Sequence, residues 1–163
     1  MHEGTQHVYQ WRIEPAAVAA ELRRFRAAVS LASRQALAIK EQAEERFGKD
    51  QAYIFDAHLL LLEDGKLIGD VERFINSENV NAEWAVKVVG DRFLYFYSEM
   101  KDDYLRERGS DIEDVMRRLL KALSGAQTEK HELAADAVVV AQDLLPSAVA
   151  ELDMEHTRAL ATD

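Results

Sequence analysis

Few residues in this chain are of types that do chemistry, and one of them sits in an unusual place. His58 occupies the middle of Tyr53-Ile-Phe-Asp-Ala-His-Leu-Leu-Leu-Leu-Glu-Asp64, a strongly apolar run that ends in two carboxylates. An imidazole there could carry a phosphoryl group. On spacing alone it reads as a core histidine, because Ile54, His58 and Leu61 or Leu62 fall on one helical face. The other histidines offer less. His2 and His7 lie near the start, His156 has no evident partner, and His131-Glu132 lies in a polar link. The chain has no Gly-rich phosphate loop, no G-x-S-x-G, no H-E-x-x-H and no paired Glu-x-x-His of a di-iron bundle.

The elements that must position His58 are mostly helices. Asp50 is placed to cap the His58 helix and Gly65 to end it. Before it, His7 to Ile13 alternates as a half-buried strand would, and Glu14-Pro15 opens a helix with proline in its first turn. Val18, Leu22, Phe25, Val29, Ala32, Ala36, Ile39 and Ala43 then step by four and three, a heptad stripe that predicts one long helix in an antiparallel bundle. Phe47-Gly48 closes it. After His58, Leu67, Val71, Phe74 and Ile75 mark a helix over 67–76, and 77–81 reads as a polar break. A helix is then predicted from Ala82 towards Arg108, with Val89, Phe93, Phe96, Met100 and Tyr104 on its buried side. Gly109 breaks it, Ser110-Asp-Ile-Glu113 forms a capping box, and Ile112, Val115, Met116, Leu119, Leu120 and Leu123 are the core stripe of a last helix ended by Gly125.

Beyond a polar link the character changes. Ala137 to Ala141 is a β-branched run of the kind that forms a buried strand, Asp143 to about Leu152 a short helix, and Thr157 to Ala161 a second strand. The fold class is therefore mostly α, a helical bundle with a small incomplete α/β piece. With 48% hydrophobic and 31% charged residues, the 163-residue chain can bury one good core. No apolar run approaches the 18 or so residues of a membrane span. Zero cysteines exclude disulfides and suit the cytosol. A net charge of −10 argues against nucleic acid and favours a basic partner.

Three stretches, in order, carry a specific resemblance. They are the A-x-I-F-x-x-H-x-x-L-L-x-D pattern over 52–64, Asp103-Tyr-Leu-Arg-Glu-Arg-Gly-Ser-Asp-Ile112, and Val138-Val-Val-Ala-Gln-Asp-Leu-Leu-Pro-Ser147. Together they resemble enzyme I of the bacterial phosphotransferase system, the phosphoenolpyruvate–protein phosphotransferases. In that family a helical insert docks the small phosphocarrier HPr. It is set in a swivelling α/β domain whose G-G-x-T-S-H histidine is phosphorylated. A C-terminal barrel binds phosphoenolpyruvate and magnesium and forms the homodimer. The resemblance implies a helical HPr-binding domain over 14–127, and a partial swivelling domain from 1–13 plus 128–163 that stops short of the phosphohistidine motif. It implies no catalytic residue and no cofactor within this stretch, magnesium belonging to the barrel. The fragment alone is expected to be inactive.

The same resemblance implies a docking surface of Tyr53, His58, Leu60, Leu61, Asp64 and Leu67 with Tyr97, Leu105, Arg108 and Asp111. Apolar members would exclude water, and acids would steer a basic HPr or a paralogous carrier. Arg108 would grip the transferring phosphoryl group with its planar fork, or else pair with Asp111 or Asp103 on its own surface. Lys49 and Gly65-Lys66 depart from the family's more acidic pattern. A different class of reading is a scaffold that uses the 18–43 stripe to dimerise. It requires that stripe to be exposed in one chain.

Overall fold

The computed structural model describes residues 8–52, 54–125, 137–140 and 157–161. A 3-10 turn, Pro15–Ala17, leads into α1, Val18–Phe47, followed by α2, Lys49–Ala52, and α3, Ile54–Glu63. Then come α4, Gly65–Glu78, α5, Ala82–Ser98, and α6, Asp103–Ser124; β1, Ala137–Val140, and β2, Thr157–Ala161, pair in parallel. The bundle and the parallel pair match the fold class read from the sequence. The helix predicted over 143–152 lies outside the described residues.

The heptad stripe makes α1 the spine of the bundle. Phe25, Ala32 and Ala36 are at most 1% exposed, and Val18, Ile39 and Ala43 are buried too. Helices α3, α4, α5 and α6 all pack on this helix. The stripe is thus consumed inside one chain, which removes the surface that the dimerising scaffold needed. Gly48, at φ 89°, ends α1 in a conformation few residues but glycine adopt.

Three boundaries differ from the sequence reading. Gly65 starts α4 instead of merely ending α3: Asp64 caps the new helix, its Oδ1 accepting from Lys66 N at 2.8 Å. The second helical boundary lies at 99–102, not at Gly109. There Glu99 N donates to Tyr95 O and Met100 N to Tyr97 O, winding the end of α5 to a stop. Asp102 stands just before α6, where aspartate is a favoured cap. Gly109 is interior to α6, at a helix-propensity cost of about 1 kcal/mol. Burial of Ile112, Val115, Leu119 and Leu123 outweighs it, at about 1.5–3 kcal/mol for each large side chain. Phe96 also departs from its expected side, being 59% exposed beside Tyr95 at 69%.

The third difference is the N-terminal strand. Residues 8–13 are extended, but among the described residues their sheet-like pairing is one isolated bridge, Arg12 to Val80. Asn81 does the holding: its Oδ1 accepts from Trp11 N and its Nδ2 donates to Tyr9 O, both at 3.1 Å. Tyr9 and Trp11 point outward, 68% and 53% exposed, so the alternation does not mark a buried face.

Candidate functional site

Helices α3 and α6 face each other across His58. The residue is 1% exposed, and its ring meets Phe55 edge-on, with centroids 5.6 Å apart. It sits on the buried side because Phe55, His58 and Leu62 share one face of α3 by the three/four spacing. From α6 a carboxylate faces each ring nitrogen. Asp111 Oδ1 lies 3.4 Å from Nε2, and Asp114 Oδ2 lies 3.8 Å from Nδ1. Both acids are buried. The Nε2 contact is within ion-pair reach but not in hydrogen-bonding geometry, and Nε2 makes no hydrogen bond among the described residues. The other oxygen of Asp111, Oδ2, accepts from Arg108 Nη1 at 3.2 Å. A chain of polar contacts therefore runs from the core outwards: Asp114, His58, Asp111, Arg108.

The residues singled out from the sequence fall into distinct places. Leu60 is 68% exposed on the outer side of α3, while Leu61 is half-buried against the core. Asp64 is half-buried, committed as the cap of α4. Leu67 is wholly buried, so it supports the α3–α4 corner from beneath and has no surface to give a partner. The same holds for His58. Asp111 is a buried link and not a rim acid. Tyr97 is half-buried, edge-on to the exposed Phe96. Arg108 is half-exposed, its side chain keeping 36% of its surface. Tyr53 lies outside the described residues, and Leu105 is on α6 with its side chain outside them. Asp114 went unnoticed in the sequence, although Asp111, Asp114 and Arg118 recur at helical spacing beside the apolar stripe and all three are buried. That row was the available signal.

Charge around the site is partly committed to structure. Lys40 of α1 reaches Asp56 at 2.7 Å and Glu44 at 3.7 Å, whereas exposed Glu63 of α3 makes no ion pair among the described residues. Among the described residues no three histidines or acids converge as a metal site.

With a helical bundle, a parallel strand pair and this polar chain in place, the comparisons fix the class. Residues 4–108 match the family model described as PEP-utilising enzyme, N-terminal, and the chain belongs to that family. Within it, the similar curated relatives are phosphoenolpyruvate-protein phosphotransferases. That of Geobacillus stearothermophilus is 40% identical over 147 residues, covering 90% of this chain and 25% of the relative. That of Bacillus subtilis (strain 168) is 37% identical over 145 residues, covering 88% and 25%. This chain thus spans about a quarter of their length. Two solved structures are similar over 96% of this chain and 63% of their own. An NMR solution structure of Enzyme I (nEIt) matches with a TM-score of 0.83 at 36% identity. The N-terminal domain of an Enzyme 1 - Nitrogen matches at 0.73 and 27%.

Proposed function

We propose that this chain is the carrier-docking part of a phosphoenolpyruvate–protein phosphotransferase. In this reading residues 14–127 seat an HPr-type phosphocarrier, and 1–13 with 128–163 belong to the α/β domain that presents the phosphorylated histidine. The parent enzyme moves a phosphoryl group from phosphoenolpyruvate through that histidine to the carrier, in the cytoplasm. One observation carries the reading: α3 and the first half of α6 meet at His58, with Leu60 left exposed on one and Arg108 at the surface of the other. An exposed leucine among charges suits the dry centre of a small interface, and an arginine fork suits a phosphoryl group. The −10 net charge would draw a basic carrier in and make binding salt-sensitive. None of the helices is long and apolar enough to cross a membrane among the described residues, which fits a soluble partner.

The test is a titration of this chain with isotope-labelled, unphosphorylated HPr at low and moderate salt. Saturable binding that weakens with salt is expected. Leu60→Ala should weaken it about tenfold, the effect of losing a modest hot spot. Asp64→Asn is the better charge probe than a lysine substitution, because asparagine still caps α4 while removing one charge. It should weaken binding a few-fold at low salt and hardly at all at high salt. A folded chain that binds neither HPr nor its nitrogen-branch paralogue up to about 1 mM would overturn the reading.

A further inference from the structure

A histidine kept only for packing would be expected to have both nitrogens satisfied or one facing water. His58 has neither arrangement: it is 1% exposed and Nε2 makes no hydrogen bond among the described residues. Burying a polar nitrogen unpartnered is costly, so its retention calls for a cause. Oδ1 of Asp111 lies 3.4 Å away, within ion-pair reach but out of hydrogen-bonding geometry. Contacts that matter during a reaction are often long in the unliganded protein and tighten when the partner arrives.

Asp111 is the hinge of the arrangement because its two oxygens look in opposite directions. Oδ1 faces the imidazole, and Oδ2 holds Arg108 Nη1 at 3.2 Å. Arg108 is the surface end, its side chain keeping 36% of its surface. An arginine side chain carries about 2 kcal/mol of rotamer entropy, and its planar fork is effective on a phosphoryl group only when aimed. Asp111, one helical turn along α6, is itself a short side chain turned by whatever grips its far oxygen. His58 can be that grip: its ring is wedged edge-on by Phe55 and flanked by Asp114 at Nδ1, so it has little freedom to turn.

We propose that His58 is a positioning residue: through Asp111 it sets the aim of the Arg108 guanidinium towards the phosphoryl group of a docked carrier. The inference rests on the docking reading above. It concerns a residue that no partner can touch, and it assigns different work to the two faces of the ring. Nε2 acts on Asp111, whereas Nδ1 facing Asp114 anchors the ring.

The experiment measures affinity of this chain for HPr with and without its phosphoryl group, for wild type and four variants, with helicity and melting temperature checked for each. Wild type should prefer the phosphorylated carrier. Arg108→Ala should erase that preference, about tenfold for the loss of one charge-assisted hydrogen bond, and barely change binding of the unphosphorylated form. His58→Phe keeps the ring and its packing while removing both nitrogens. It should do the same, and the His58→Phe/Arg108→Ala double variant should lose no more than Arg108→Ala alone. His58→Gln places an amide nitrogen where Nε2 was and should retain most of the preference. His58→Asn, whose amide reaches only the Nδ1 position, should not. These last two keep the test alive if the phenylalanine variant fails to fold. If wild type binds both forms but His58→Phe shifts both equally or neither, or if Gln and Asn behave alike, His58 is structural and the proposal is overturned while the docking reading stands. Equal wild-type affinity for the two forms overturns it as well, because Arg108 then grips no phosphoryl group. If wild type binds neither form, the docking reading fails and this proposal with it.

Discussion

At the scale of single residues, Gly90 is the most closely packed of the glycines among the described residues. A Cβ placed there would come within 2.8 Å of Met116 Cγ and 2.9 Å of its Sδ. Glycine in the middle of α5 costs about 1 kcal/mol in helix propensity, so alanine would be favoured if space allowed. Overpacking of a core costs about 1–3 kcal/mol, so the clash outweighs the propensity gain and Gly90→Ala should be destabilising by up to about 2 kcal/mol. Met116→Ala should reverse the sign. In that background Gly90→Ala regains its propensity advantage and should stabilise by up to about 1 kcal/mol. Urea unfolding of the four proteins in the cycle measures this, and equal effects in both backgrounds would show that Met116 simply swings aside. The sequence showed only a glycine in an apolar helix, not what lay across from it. The site was legible to a similar depth. Leu60 and Arg108 could be named from the motif around them, but that Leu67 and His58 are sealed in, and that Asp111 is a link and not a rim acid, depends on which helix faces which.

At the scale of elements, α1 was readable end to end because one stripe of eight residues and a terminating glycine agree. The boundary between α5 and α6 was not. A glycine in mid-pattern outranked the weaker polar stretch 99–102, yet burial along α6 overrides one glycine. Another device invisible to local pattern fixes the start of α5. Asn81 supplies no side-chain cap of its own. Instead Glu21 of α1 accepts from Ala82 N at 2.7 Å, and Arg24 of α1 bridges Glu21 and Glu83 at 2.7 Å each. Burial raises the pKa of the Glu83 carboxyl, but the hydrogen bonds from Arg24, its own backbone amide and Asn81 prevail, leaving it below the ordinary 4.5. A carboxyl held lower in the folded state than in the unfolded chain adds stability that is complete above about pH 4.5 and drains away as pH falls through the folded value. Chemical unfolding at about pH 6 and about pH 3 should therefore show a smaller acid-induced loss for Glu83→Gln than for wild type. An identical loss in both would mean that the other carboxylates carry the whole acid response.

At the scale of the molecule, the question is what α1 is for. Its buried face contains Ala28 beside the stripe's Ala32, Ala36 and Ala43, and small residues let neighbouring helices approach the spine closely. A seam between two chains would instead gain from larger knobs at those positions. The two architectures respond oppositely to one substitution. Ala32 is 0% exposed in the interior of the bundle, so Ala32→Leu inserts volume where there is none and should destabilise by about 1–3 kcal/mol. For a chain of this size that is a fall of roughly 2–12 °C in melting temperature. Sedimentation should show an unchanged mass, since no apolar seam has been strengthened. Were the stripe a dimer seam in solution, the same leucine would raise both the mass and the melting temperature, and the latter would depend on protein concentration. The spine reading also bears on the proposed docking through α3 and α6. With the apolar stripe of α1 spent on the core, Leu60 and Arg108 stay at the surface, where that proposal seats the partner.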